Sequence, residues 1–564
     1  VKFVGDVHLN ESTGQLVTTF ENTPELPFSD LKLSFSGGAQ AALATPTGCG
    51  TYTTTGVFTP WSGEENALTS SSFAVDSGPG GSACAAPLPF APSLVAGPTS
   101  DQAGGFTNFS LLLQRPDGQQ RIDGLSFTAP AGLTGELAHV PLCTNAQAEG
   151  NECPAASKIG HTVVESGPGP YPLVVPEPGQ PPAPIYLTES YGGAPFGLSI
   201  VVPLHVGPFT LPTQRVRAKI EINPVTAQLT VATNPLPQEV AGVPTDLREV
   251  DAVIERPQFM VNPTNCTPAA FSGTAYGTPP PGVSEAPTSA PISNRMQVGS
   301  CRSLEFTPKF AVSTTRENSK AEGASLTSKV SYPNLPQGSE ANIAKFKVEL
   351  PKQLPSRLTT LQKACTARVF EANPASCPPE SFIGHVTVHT PLLPVPLIGP
   401  AIFVSHGSEA FPSLTLVLQG DGVTVDIVGS TFISKAGVTS TTFKTVPDAP
   451  FETFELVLPQ GPYSALAANG NLCKLRKTVT TKEKVDKRVH GKLVRKHGKV
   501  VKITKKVSKS VATSLKMPIE IVGQNGAAIH RTTPISVTGC PRTHRKAKVA
   551  KRAKRTAKAR RKKG

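Results

Sequence analysis

Ten cysteines are the residues whose spacing most clearly indicates chemistry in this chain. Cys49 and Cys84 are 35 positions apart, and so are Cys266 and Cys301. An even number of cysteines at repeated positions predicts five structural disulfides, and hence an oxidising compartment. Thiolate zinc sites need gaps of about two to four residues, and no pair has such a gap. The predicted disulfide partners, taken in order along the chain, are Cys49, Cys84, Cys143, Cys153, Cys266, Cys301, Cys365, Cys377, Cys473 and Cys540.

Histidines and carboxylates form no catalytic pattern. His161 and His385 follow Ile-Gly at matched positions of a repeated nonapeptide, which favours a structural role in a strand. Asp117 and Asp421 stand in predicted turns, where aspartate makes local hydrogen bonds. G-x-S-x-G and H-E-x-x-H motifs are absent, although an acid pair for glycoside hydrolysis stays open because its separation in space decides it. We expect no catalytic, cofactor-binding or metal site, and we predict that the protein is not an enzyme.

Positive charge is concentrated near the C-terminus. Residues 474–509 contain 15 Lys/Arg and two acids, and residues 542–564 contain 13 Lys/Arg and no acid. The rest of the chain has 26 basic and 38 acidic residues, so that an acidic body carries two strongly basic segments. Such charge blocks are typical of anion-binding segments or of solvated tails. The predicted anion-binding residues are Lys487, Arg488, Lys492, Arg495, Lys496, Lys499, Lys502, Lys505, Lys506, Lys551, Arg552, Lys554, Arg555, Arg560, Arg561, Lys562 and Lys563.

Three kinds of anionic partner fit these basic segments. Lys and Arg bind polyphosphates by releasing counterions, so we expect non-specific nucleic-acid binding in vitro. Neither segment has an aromatic residue to stack on bases, and the disulfides favour a place outside the cell. A polybasic segment also binds anionic lipid, at about 1 kcal/mol per basic residue near the surface. We therefore expect an anionic cell-wall polymer first and a membrane surface second, with no small-molecule substrate identified.

The elements that must position these residues are short β-strands. The chain has 49 glycines and 57 prolines, and many of its segments alternate apolar and polar residues. LTLVLQGDGVTVDIV alternates on both sides of a Gly-Asp-Gly turn and predicts a hairpin. The pattern predicts an all-β fold of tandem, disulfide-stapled, antiparallel β-sandwich (Ig-like) domains. A run of 18 apolar residues is absent, so we predict no membrane-spanning helix.

Matched cysteines reveal a long repeat. Cys49 to Cys266 and Cys84 to Cys301 both span 217 positions, which indicates tandem domains rather than a solenoid. A P-[ED]-x-PF motif precedes the first and the last copies of the repeated cysteine. We divide the chain into a partial first unit at 1–102, a second unit of two β subdomains at 103–302, a third unit at 303–541 with a long basic β-hairpin inserted at 474–511, and a disordered Lys/Arg-rich tail at 542–564.

Three motifs carry a resemblance to a known group of proteins. CPxxSxIGH at 153–161 and 377–385, NPTNC, and QNGAAIHRTTPISVTGC before a Lys/Arg tail resemble sequences of large, secreted, repeat-containing proteins of high-GC Gram-positive bacteria. The resemblance implies an extracellular or envelope location and a non-enzymatic role, and it supplies no functional residues. The chain begins at Val1 inside a repeat, without an initiator methionine, so we expect a fragment or a processed product, and a signal peptide is not in the given chain.

Two functions follow as hypotheses. The first is a secreted, cell-envelope-associated structural or adhesin-like repeat protein, which its basic C-terminal segments tether to anionic envelope polymer or lipid. The second is a soluble extracellular protein that binds a ligand or a carbohydrate at a site between β-sandwich subdomains. A single tryptophan and seven tyrosines offer few platforms for stacking sugars, which counts against the carbohydrate version.

Overall fold

Strands make up almost all of the regular structure of the protein. The computed structural model describes residues 2–10, 15–39, 41–78, 81–207, 209–280, 283–333 and 335–540. The predicted tail at 542–564 lies outside these ranges. The helices are short, at Asn145–Glu149, Leu358–Leu361 and Ala367–Ala372, with 3-10 turns at Ala155–Ser157, Cys301–Ser303, Pro374–Ser376, Pro379–Ser381 and Leu472–Lys474. Of the helices in the described ranges, none has the length and apolar composition needed to cross a bilayer.

The first large sheet has 12 strands, and the pairs along it are antiparallel. Eleven strands form a continuous path, and Leu173–Val175 pairs with Lys158–Ser166 beside it. The path runs through Thr288–Met296, Ala269–Thr278, Arg121–Thr128, Leu229–Thr233, Phe209–Ile222, Phe196–Val206, Ala183–Thr188, Lys158–Ser166, Leu247–Ile254, Phe109–Gln114 and Ser93–Pro98.

The second large sheet has 13 strands and repeats this topology. Its path runs through Ala528–Pro534, Lys516–Gly523, Ile343–Glu349, Thr439–Phe443, Val423–Ile433, Ser413–Gly420, Leu397–Ser405, Phe382–His389, Thr453–Leu458, Leu326–Ser331, Lys309–Thr315 and Ser536–Thr538. Cys365–Thr366 pairs in parallel with Leu397–Ser405. The first eleven strands follow one another in the same order as in the first sheet, so the two units share one architecture.

Each large sheet curls until its ends meet. In the first sheet the end strands Ser93–Pro98 and Thr288–Met296 lie side by side, and Asn294 Nδ2 donates a hydrogen bond to the Ala96 carbonyl oxygen at 2.6 Å. In the second sheet Ser536–Thr538 pairs in parallel with the first strand of its unit. The result is two nearly closed, barrel-like domains.

The predicted sandwich of two packed sheets is therefore wrong in its layering, whereas the all-β, antiparallel class is confirmed. Each barrel contains one continuous large sheet, and the division of a unit into two β subdomains stays a prediction. A sandwich and a curled sheet both bury one face of every strand, so both produce the same alternation of apolar and polar residues. The bounds of the repeat units stay a prediction, although Ser93–Pro98, which we placed in the first unit, belongs to the first barrel.

The N-terminal segment forms small hairpins without a large sheet in the part that the structure describes. Asp6–Leu9 pairs with Leu16–Thr19, and Gly50–Phe58 pairs with Ala67–Val75. Residues 31–37, which alternate like a strand, have no strand partner among the described residues, and Phe35 is 60% exposed. The strands at the equivalent repeat positions are Leu247–Ile254 in the first barrel and Thr453–Leu458 in the second. Each of them pairs with a neighbouring strand on both sides.

Five disulfides join the cysteines in the pairs that the repeat positions predict. The Cys143 and Cys365 sulfurs are fully buried against short helical loops. A protein with this many disulfides is typical of an extracellular location. The pairs are Cys49–Cys84, Cys143–Cys153, Cys266–Cys301, Cys365–Cys377 and Cys473–Cys540.

The repeated Ile-Gly-His motif marks a close approach between strands. A Cβ atom on Gly160 would lie 2.0 Å from the Val253 carbonyl oxygen, and one on Gly384 would lie 2.2 Å from the Val457 carbonyl oxygen. Both glycines stand at register shifts of their strands. The motif is therefore needed for strand pairing in each barrel, because only a residue without a Cβ fits.

We expect Gly160→Ala to destabilise the first barrel by about 1–3 kcal/mol, because the new methyl group overlaps a carbonyl oxygen of the neighbouring strand. Gly97→Ala is the matched control, since a Cβ at that strand position meets no atom within 4 Å. The measurement is the midpoint of denaturant unfolding of the oxidised protein. Equal midpoints for the two variants would contradict this account of the motif.

Candidate functional site

The predicted basic hairpin is present as a long two-stranded stem. Arg476–Asp486 pairs with Lys502–Ala512 in antiparallel register, and the stem enters the second barrel directly before its Lys516–Gly523 strand. The register places Lys482 opposite Lys506. Like charges directly opposite each other destabilise a ladder, so the stem concentrates positive charge at an energetic cost.

The end of the stem divides into two short arms. Arg488–Val489 pairs with Lys492–Leu493, and Arg495–Lys496 pairs with Lys499–Val500. We call residues 487–501 the cloverleaf, because the stem and the two arms meet at one junction. Each arm has a two-residue turn.

His-Gly pairs form both turns of the cloverleaf. His490 and Gly491 have φ angles of 51° and 81°, and His497 and Gly498 have 51° and 80°. Two consecutive positive φ angles are what a type I′ hairpin turn requires, and glycine supplies the second without strain. The sequence therefore specifies both reversals locally.

Three backbone hydrogen bonds close the cloverleaf in a ring. The Lys487 amide donates to the Val501 carbonyl at 2.7 Å, the Val501 amide to the Val494 carbonyl at 2.9 Å, and the Val494 amide to the Lys487 carbonyl at 2.8 Å. These residues recur every seven positions, as do Arg488 and Arg495. A seven-residue internal repeat thus folds into two equivalent arms, and this repeat is the signal that the sequence analysis missed.

The predicted anion-binding residues of the hairpin all lie exposed on this element. One guanidinium nitrogen of Arg488 donates to the Gly491 carbonyl, and Arg495 makes the same bond to Gly498, so each arginine is held against its own turn. Within the described part of the hairpin, the one ion pair joins Lys509 to Glu483. The cloverleaf contains no Asp or Glu, so it presents closely spaced cations with no carboxylate of its own to neutralise them. The structure brings together Lys487, Arg488, Lys492, Arg495, Lys496, Lys499, Lys502, Lys505 and Lys506.

The other predicted anion-binding residues, from Lys551 to Lys563, lie outside the described residues. The matched histidines occupy the same place in the two sheets. His161 stands between Val253 and Pro184, and His385 stands between Val457 and Pro400. His161 Nδ1 also lies 2.7 Å from Glu255 Oε1. Equivalent places in a strand ladder fit a structural role.

A second candidate site is an internal cavity of about 370 Å³ that is lined by residues of both barrels. Its carboxylate is Asp448, which is 6% exposed and accepts hydrogen bonds from the Thr264 amide, the Thr264 hydroxyl, the Asn265 amide and the Asn342 side chain. Burial raises the pKa of Asp448, and the donated hydrogen bonds oppose that effect. Asp448 therefore joins the barrels structurally.

The sequence contained a signal for this junction. Asp448 belongs to the P-[ED]-x-PF motif, and Thr264 and Asn265 belong to NPTNC. In the sequence, the first motif indicates the repeat and the second carries the resemblance, and neither one indicates a contact between them. Contact between distant motifs cannot be inferred from one sequence, so the junction was missed.

Glu136 lies beside the cavity, between the lining residues Gly135 and Leu137. Burial raises the pKa of Glu136 from 4.5 to about 7. The Glu136 amide donates to the Phe259 carbonyl, which fixes the backbone of this segment. The carboxyl group is thus held where its neutral form is favoured.

Comparisons with known proteins give no family assignment. No family model matches the chain, and no curated protein matches it. A solved structure titled "BspA_C_WT" has 8% identity and a TM-score of 0.17, with 78% of this chain and 96% of that chain covered. "Biofilm associated protein - B domain" has 9% identity and a TM-score of 0.15, with 79% and 84% covered. This structural similarity is weak, and we base no argument on it.

We expect the stability of the folded protein to fall as the pH rises through about 7, because Glu136 has a raised pKa in the folded state. Its contribution is fully present below about pH 4.5 and is lost above about pH 7. Glu136→Gln stays neutral, so at alkaline pH it should be more stable than the wild type by about 1–2 kcal/mol, after allowance for partial solvent screening. Chemical unfolding at acidic and alkaline pH measures this difference, and the exposed Glu371→Gln is the control. Parallel pH profiles for the wild type and Glu136→Gln would refute the prediction.

We also expect the cloverleaf to bind duplex DNA as a generic polyanion. Replacement of seven cations by glutamine should reduce the slope of log K against log salt by about 0.9 for each phosphate contact that is lost. The changed residues are Lys487, Arg488, Lys492, Arg495, Lys496, Lys499 and Lys502. Filter binding across a salt series measures the slope, and an unchanged slope would place the phosphate contacts elsewhere.

Proposed function

We propose that this protein is a secreted, non-enzymatic structural or adhesin-like protein of the cell envelope. Its barrels act as rigid spacers, and its basic C-terminal elements bind anionic envelope polymer. The observation that carries the proposal is the cloverleaf, a folded element whose exposed cations project from a net acidic body.

The geometry of the cloverleaf supports a binding role better than a solubilising one. A solvated charge run needs no defined fold, whereas here two type I′ turns and a ring of three backbone hydrogen bonds hold the cations on short arms. The geometry of a β-strand sets the spacing of the cationic side chains on each arm. This regular spacing suits a polymer whose negative charges are also regularly spaced. Phosphate-bearing or uronic acid polymers of a cell wall have this property.

The barrels support the spacer role through their junction. The Asp448 carboxylate accepts four hydrogen bonds, two of them from backbone amides of the loop that precedes the Ala269–Thr278 strand of the first barrel. The Leu137 amide also donates to the Leu392 carbonyl across the same junction. Buried, fully satisfied polar groups fix relative orientation, so we propose that the two barrels move as one body.

An anionic membrane surface is the second candidate partner. Val489 and Leu493 on one arm are 50% and 38% exposed, and Ile503 on the stem is 43% exposed. Apolar side chains that alternate with cations are able to enter the headgroup region while the cations bind anionic lipid. Binding to wall polymer must therefore be compared with binding to vesicles.

We expect the same glutamine variant, which changes six cations of the cloverleaf and the adjoining Lys502, in a chain that ends at residue 540, to bind isolated wall sacculi at least about tenfold more weakly. Seven exposed cations at about 0.2–1 kcal/mol each account for a loss of this size. Co-sedimentation across a salt series, with anionic and neutral vesicles in parallel, measures binding to each partner.

The control carries the same change in net charge on the barrels. It replaces seven exposed lysines by glutamine, namely Lys158, Lys309, Lys320, Lys352, Lys363, Lys435 and Lys444. Unchanged binding by this control, together with loss in the cloverleaf variant, supports the proposal. Equal binding by both variants would move recognition to the acidic body and end the tether hypothesis.

A further inference from the structure

The internal cavity is apolar along both barrels and through their junction. In the first barrel it is lined by inward side chains such as Phe127 and Leu198, and in the second by Leu416 and Val425. Gly132 lines it at the junction. The cavity is therefore shared by the two barrels and does not belong to one of them alone.

The number of strands leaves room for a cavity beside the packed core. About eight strands give a closed sheet whose interior side chains just fill, and larger barrels enclose ligand cavities or channels. These sheets have 12 and 13 strands. Part of the interior is packed, as where the rings of Phe109 and Phe127 stack with 6.3 Å between their centroids, and the cavity occupies part of the rest.

Three of the polar groups that line the cavity have hydrogen-bond partners in the protein. The Thr390 hydroxyl donates to the Pro450 carbonyl, and Thr233 Oγ1 accepts from the Leu125 amide. Asp448 accepts four hydrogen bonds from the junction. A water molecule needs two to four polar partners to be stable in a cavity, so this interior favours apolar occupants.

We propose that this cavity binds the hydrocarbon chain of a lipid, in an extended form that passes from one barrel to the other. Its volume of about 370 Å³ falls within the range of small-molecule pockets, about 300–1,000 Å³. A carbohydrate does not fit this chemistry, because its hydroxyl groups would lose hydrogen bonds to water and gain none from the lining. An extended chain is able to contact lining residues of both barrels, which a compact ring does less well.

The first test uses the purified wild-type protein and a series of straight-chain primary alcohols from hexanol to dodecanol, followed by titration calorimetry. Each buried methylene contributes about 0.8 kcal/mol, so the Kd should fall about fourfold for each added carbon. The increments should stop when the chain fills the cavity. The absence of binding, or an affinity independent of chain length, would overturn the proposal.

The second test reduces the volume of the cavity by placing a larger side chain on its wall. Ala218 lines the cavity in the first barrel and is 1% exposed. Ala232, on the adjacent strand, pairs with Lys219, and both lie on the face of the sheet that points away from the cavity. Ala218→Phe removes room for at least two methylene groups and should weaken dodecanol binding by about tenfold or more. Ala232→Phe adds the same ring outside and should change the Kd by less than about twofold.

A variant in the second barrel tests whether the cavity is continuous between the barrels. It also keeps the proposal testable if Ala218→Phe prevents the first barrel from folding. Val425→Trp narrows the far end of the same cavity. A chain that spans the junction predicts weaker binding of long alcohols and unchanged binding of short ones in this variant. If Val425→Trp and Ala232→Phe bind dodecanol like the wild type, the chain does not span the two barrels and the proposal is wrong.

Discussion

The structure depends on the need of a single β-sheet to bury its own apolar face. A sandwich solves this with a second sheet, but here the one large sheet of each unit curls until its ends meet. Closure requires strands to approach each other closely at bends, which the glycines of the Ile-Gly-His motif allow. It also leaves room for a cavity beside the packed side chains. The repeated motif and the cavity are therefore two consequences of the same constraint.

Much of this fold could be predicted from local patterns in the sequence. Alternation of apolar and polar residues gave the antiparallel strands, and the matched cysteines gave the five disulfide pairs. The sandwich was the wrong arrangement of correct strands, because one-sided burial is common to both architectures. Residues 31–37 alternate like a strand without forming one. A strand is stable only when it pairs with neighbouring strands, and alternation within one segment does not show whether such strands lie beside it.

The candidate sites differ in how far sequence reasoning reached them. The basic hairpin was predictable because lysine and valine alternate around two glycines, yet its division into arms depends on the seven-residue repeat around Arg488 and Arg495. The junction at Asp448 and the cavity were not predictable. Both arise from residues that are far apart in sequence, and each lining residue taken alone is an ordinary core residue.

Charge and apolar surface are separated in this molecule in a way that permits two independent roles. Exposed cations gather on an insertion that no barrel strand needs, so the cloverleaf is free to change without loss of the fold. The cavity, in contrast, is lined by the strands that form both barrels. A change that removed the cavity would also change the strands of the barrels. An envelope tether and a lipid-binding interior are thus compatible in one chain, because the first depends on an appended hairpin and the second on the closure of the sheets.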